Sequence, residues 1–214
     1  MAVNDRDSVL VWRLPVRVAH WLLATGFVVA YLTEGEDEVI GIHAWAGYLV
    51  AALVLWRVLM GLVGPADMRF SGFVRGPRAV LDYLLGLLRR TAPRSLGHNP
   101  AGAAMIVLLL FSLAVTTGSG MALYAVRENS GPLAAWLYEP TPKVSPEATL
   151  QSGSASVEKK VKRRKPGREI KEVHELFANL SLFLVLLHIG GVVLSSLVHR
   201  ENLPRSMITG RKRA

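Results

Sequence analysis

Long apolar stretches alternate with short polar connectors along this chain, and four of the stretches carry almost no charge. They cover about residues 14–32, 39–63, 100–124 and 173–198. A helix needs about 20 predominantly apolar residues to cross a hydrocarbon layer of about 30 Å, so each run predicts a membrane-spanning helix. The first follows Arg6 and Arg13 and carries Pro15 in its opening turn, where a helix tolerates proline. A cleavable signal peptide has a similar outline. Cleavage would discard His20, and we read the run as a retained anchor. The second run contains one charge, Arg57, and stops at Gly64-Pro65, a strong helix-ending pair. The third opens on Asn99-Pro100, a cap followed by a proline in the first helical position. Gly102, Ser112, Thr116, Thr117, Gly118 and Gly120 give it small faces, and it reads as a packing helix.

The connectors differ in sign. Glu34, Glu36, Asp37 and Glu38 make the first acidic, whereas residues 66–98 carry six arginines against Asp67 and Asp82. Within that segment Val80, Leu81, Leu84, Leu85, Leu87 and Leu88 form a piece too short to span, which predicts an interfacial helix between the second and third spans; a plain basic loop is the competing reading. Residues 139–171 are rich in Pro, Ser and Lys, with a basic block at 159–165. They predict a flexible extracytoplasmic loop. Basic N-terminus, basic 66–98 segment and basic C-terminus together place both termini in the cytoplasm. The fold class expected is therefore an all-α integral membrane protein, a four-helix transmembrane bundle forming a single domain over residues 1–214.

Composition narrows the chemistry. Half the residues (51%) are hydrophobic, which suits a polytopic membrane protein and makes lipid a partner. The net charge of +9 then sets orientation and headgroup contact and does not call for nucleic acid. Cysteine is absent, which excludes covalent c-type haem, iron-sulfur clusters and disulfides, and leaves histidine as the obvious metal ligand.

Four histidines lie inside the runs. His174 and His188 are 14 residues apart in the fourth, on nearly one helix face and about 21 Å apart along it. In the predicted topology His20 matches the depth of His188, and His43 that of His174. Two ligands at each depth suit a b-type haem with both axial positions filled better than zinc, which wants three or four ligands in one cluster. Gly47, Gly190 and Gly191 would leave room for a flat ring. Arg57, 14 residues after His43, and Arg17, one turn before His20, are candidate partners for haem propionates. Snorkelling to the headgroups is the alternative for both. His98 and His199 have no depth partner and read as surface residues.

Val11-Trp12-Arg13-Leu14-Pro15 leading to His20-Trp21, His43 with Gly47-Tyr48, Gly97-His98-Asn99-Pro100, His174-Glu175 with Asn179, and His188 before His199-Arg200-Glu201-Asn202 together resemble the bacterial cytochrome b561 family. That four-helix dihaem group includes the cytochrome b subunits of nickel-iron hydrogenases. The resemblance covers about residues 11–124 and 172–212. It implies a bacterial inner-membrane protein with two b haems on His20, His43, His174 and His188. It also implies electron transfer between the quinone pool and a soluble or peripheral redox protein on the outer face, such as a c-type cytochrome or a hydrogenase-like subunit. A family member that oxidises superoxide and reduces quinone alone is a second expectation. A non-redox membrane anchor or transporter is a third. The segment 139–171 departs from the family pattern, which leaves the partner open.

Overall fold

The computed structural model describes residues 8–35, 37–137 and 167–214. The basic block 159–165, and residues 139–166 of the expected loop, lie outside the described residues. The elements in chain order are β1 (Ser8–Leu10), α1 (Leu14–Leu32), a 3-10 turn (Asp37–Val39), α2 (Ile40–Val63), α3 (Phe70–Phe73), α4 (Pro77–Leu88), α5 (Pro100–Glu128), α6 (Ala134–Leu137), α7 (Arg168–His199), α8 (Leu203–Thr209) and β2 (Arg211–Arg213). Four of them, α1, α2, α5 and α7, are long and apolar enough to cross a membrane. At 12 residues, α4 is too short to do so.

Local chemistry sets the helix ends. The Asn99 side chain accepts from the Gly102 N–H at 2.7 Å, and α5 closes at Asn129 in the left-handed conformation. Arg168 with Glu172 (2.9 Å) and Lys171 with Glu175 (2.8 Å) are helical ion pairs. They let α7 begin five residues before the apolar run starting at 173, as a polar turn that needs no hydrocarbon around it.

The helices pack in the order α1–α2–α5–α7, with α5 as the spine. Phe27, Val50, Val54, Leu110 and Leu113 form the buried core. Ser112 and Ser181 join α5 to α7 through a fully buried hydroxyl pair at 2.8 Å, the kind of interhelical contact that holds helices together where lipid replaces water. Leucines, valines and phenylalanines such as Phe111, Leu186 and Leu197 point outward. In water such a surface would be a liability, but against acyl chains it is the solvated face. The backbone of α7 makes no comparable approach to α1 or to α2.

Both ends of the described chain meet at one end of the bundle, which we call the clasp end. There β1 pairs antiparallel with β2, with Val9 opposite Lys212, and the Val11 and Trp12 N–H groups donate to the Gly210 carbonyl at 2.8 and 3.0 Å. Arg94 holds Glu201 through Nε at 2.7 Å and also donates to the Arg213 carbonyl. Burial holds the Lys212 ammonium below its ordinary pKa while the Glu201 carboxylate works against that. His98 and His199, expected at the surface, are instead packed into this clasp. His98 stacks on Phe73 with ring centres 4.2 Å apart and meets the edge of Trp12 at 4.7 Å, and the His199 Nε2 lies 3.3 Å from the Tyr83 hydroxyl. Burial, reinforced by Arg57 and Lys212, pushes the His98 pKa down to about 4. Their partners come from α3, α4 and the N-terminal segment, which no local pattern around residues 98 or 199 discloses.

Candidate functional site

Each pair of histidines matched by depth is brought together. The rings of His43 on α2 and His174 on α7 lie 6.1 Å apart at the end of the bundle away from the clasp, the far end. Those of His20 on α1 and His188 on α7 lie 6.5 Å apart nearer the clasp. In both cases the two rings sit on helices whose backbones do not pack against each other, so a gap between helices is kept open with an imidazole on either wall.

At the far pair the protonation pattern follows from the hydrogen bonds. His43 Nδ1 lies 2.8 Å from the Ala30 carbonyl oxygen, and His174 Nδ1 lies 2.9 Å from that of Thr116. A carbonyl only accepts, so both Nδ1 atoms carry the proton and both Nε2 atoms present lone pairs. Two lone pairs cannot bond each other, but a metal between them binds both. With metal–nitrogen bonds of about 2 Å, a metal midway between two imidazoles puts the ring centres about 6.2 Å apart. Both observed separations fit that spacing. Among the described residues no group of three or more His, Cys, Asp or Glu is placed to hold a metal ion, so a closed zinc-type centre has no ligand set here.

A cavity of about 650 Å³ surrounds the far pair, within the range of cofactor pockets. Gly47 lines it, and a Cβ built there would meet nothing within 4 Å. Gly120 is the opposite case, because its Cβ would lie 2.9 Å from Cε1 of His174. The open gap, the paired lone-pair donors and the cavity fit a flat cofactor carrying a metal with two free axial positions.

The third span was expected only to pack, yet α5 shapes the far site through the Thr116 carbonyl, Gly120, and the Ser119 hydroxyl 3.4 Å from His174 Nδ1. A run without a histidine gave no reason to assign it that role. Arg127 and Lys171 also line the far cavity and escaped the sequence reading. Arg127 stands seven residues after Gly120, on the same helix face, and that spacing was the available signal. Arg57 turns toward α3, with its guanidinium 5.0 Å from the Phe70 ring centre and Nη1 donating to the Met68 carbonyl at 3.3 Å. Gly61 makes this possible, since any Cβ there would overlap the Phe70 ring. Arg17 donates through Nη1 to the Ile208 carbonyl at 2.6 Å and keeps a buried Nε without a partner among the described residues.

A family model described as prokaryotic cytochrome b561 matches residues 11–210, almost the whole chain. The chain belongs to the prokaryotic cytochrome b561 family. It is a membrane cytochrome b with an electron-transfer role, and the family implies a b-type haem as its cofactor. Among curated proteins this cytochrome is similar to a probable Ni/Fe-hydrogenase B-type cytochrome subunit of Rhizobium leguminosarum bv. viciae. The two are 26% identical over 243 aligned positions that cover 97% of this chain and 90% of the relative. A protein of the same description from Bradyrhizobium diazoefficiens is 24% identical over 239 positions, covering 97% and 87%. No solved structure matches the chain.

Proposed function

We propose that this cytochrome holds two b haems in series and relays electrons between the quinone pool and a redox protein at the far face. The observation that supports this best is the pair of facing imidazole sets, at ring separations of 6.1 and 6.5 Å, sharing α7 as a common wall. His43 with His174 and His20 with His188 are the axial ligands. A b haem held this way supplies one-electron exchange with both axial positions filled, which favours electron transfer over oxygen chemistry. The residues of the chain do the positioning. Ala30 and Thr116 fix the far imidazoles through their carbonyls, and the rise of α7 sets the two sites about 21 Å apart along its axis.

Arg17, with a buried unpaired Nε one turn from His20, supports a propionate contact at the near site. Arg57 serves there only by leaving Phe70 and Met68. The arginines of residues 66–98 and of the C-terminal tail put the clasp end on the cytoplasmic side of a bacterial inner membrane, with α4 lying at the interface. The hydrogenase-subunit descriptions of the relatives support a hydrogenase-like partner over a c-type cytochrome at the far face.

Haem quantified per purified chain, with a dithionite-reduced minus oxidised spectrum, tests the reading. Two haems with b-type absorption are expected, falling to one in His20→Ala and to one in His43→Ala. A single haem in the wild type, or two retained in either variant, overturns the assignment.

A further inference from the structure

The two histidine pairs differ in what surrounds them, and the differences act in one direction. At the far pair both Nδ1–H groups donate to backbone carbonyls, Ala30 at 2.8 Å and Thr116 at 2.9 Å. Such bonds raise the basicity of the ligating nitrogen, and a more basic ligand stabilises the oxidised metal over the reduced one. The His20 Nδ1 at the near pair is buried and has no partner among the described residues. Charge adds to the contrast. The far cavity is lined by Glu34, Glu128 and Glu175 against Arg127 and Lys171, and Lys171 is already paired with Glu175 at 2.8 Å. One turn from His20 stands Arg17, a fixed cation whose Nε is unpaired. Negative charge favours the oxidised state and positive charge the reduced state, and both effects are amplified where water is excluded.

We infer that the far site, His43–His174, has the lower reduction potential and the near site, His20–His188, the higher. This rests on the two-haem reading. The internal step is then a one-electron exchange in which the near site is reduced by the electron that leaves the far site, with no bond made or broken. Electrons run downhill from the far end to the clasp end. The reaction that supplies this cytochrome is accordingly an oxidation at the far face, and the quinone is reduced at the clasp end.

Potentiometric titration of the purified full-length protein, followed in the haem α-band, tests the order. Two one-electron waves are expected, separated by at least a tenfold difference in electron distribution, or about 59 mV. Glu175→Gln should raise the lower wave and leave the upper one in place; Arg17→Gln should lower the upper wave alone. Glu34→Gln repeats the far-site test if Glu175→Gln does not assemble. Coincident waves, or movement of the upper wave in Glu175→Gln or Glu34→Gln, overturn the inference. A single wave from one haem per chain overturns the two-haem reading instead.

Discussion

Replacing Gly120 by alanine adds one methyl group on the face of α5 that touches His174. That Cβ would stand 2.9 Å from Cε1 and 3.1 Å from Nδ1 of the ring, whereas ordinary contacts begin near 3.4 Å. The ring must therefore retreat from α5 by about 0.5 Å, a displacement close-packed interiors resist. Its anchor, the Thr116 carbonyl, sits on α5 one turn earlier, so retreat stretches the 2.9 Å bond beyond the usual range of an N–H···O bond, about 3.2 Å at most. Losing that bond costs about 1 kcal/mol and the overpacking about 1–3 kcal/mol more. Haem affinity at the far site should fall by about 10- to 100-fold, the usual penalty for disturbing a group that orients a ligand. Haem per chain after extended washing in detergent, together with the reduced α-band, reads the effect. Loss confined to one haem is expected. Gly118→Ala is the control, since a Cβ there meets nothing within 4 Å and both haems should be retained. If Gly120→Ala keeps both haems with unchanged spectra, or if the two variants behave alike, the reasoning fails.

Two further outcomes follow from the packing. The folded pKa of His98, about 4, lies below its ordinary 6.5, so the folded state prefers the neutral ring. Its contribution is therefore intact above pH 6.5 and lost as the pH falls toward 4, because the unfolded chain takes up the proton first. Between pH 7 and pH 4.5 the wild type should lose about 2–3 kcal/mol more stability than His98→Gln, measured as the difference in thermal midpoints, and equal losses would remove His98 from the account. In Ser112→Ala, the buried Ser181 hydroxyl keeps only Thr116, at 3.4 Å, as a partner. A loss of about 1 kcal/mol in thermal stability is expected, with haem content unchanged.

Much of the bundle was legible because membrane solvation is a one-dimensional constraint. Run length and charge placement predict spanning helices without knowledge of neighbours, and the helical rise gives the depth of each histidine, which is why His20 could be matched with His188 and His43 with His174. Boundaries were less legible where polar residues continue a helix outside the apolar run, as Arg168–Glu172 and Lys171–Glu175 do at the start of α7. Arg57 shows a different limit. Its position on α2 puts it at a useful depth, but the direction of a long flexible side chain depends on what lies beside it, and Phe70, Phe73 and Met68 are brought there by the turn after α2.

By itself the sequence determined that this protein spans a membrane with four helices, that histidine is its metal ligand, and which histidines share a depth. These are properties of local composition and of helix rise. Only the tertiary structure decided that α7 stands off from α1 and α2, that the Ala30 and Thr116 carbonyls hold the far imidazoles, and that Gly120 is the surface His174 rests on. Each of those depends on the sideways order of the helices, and depth along a helix axis carries no information about order around the bundle.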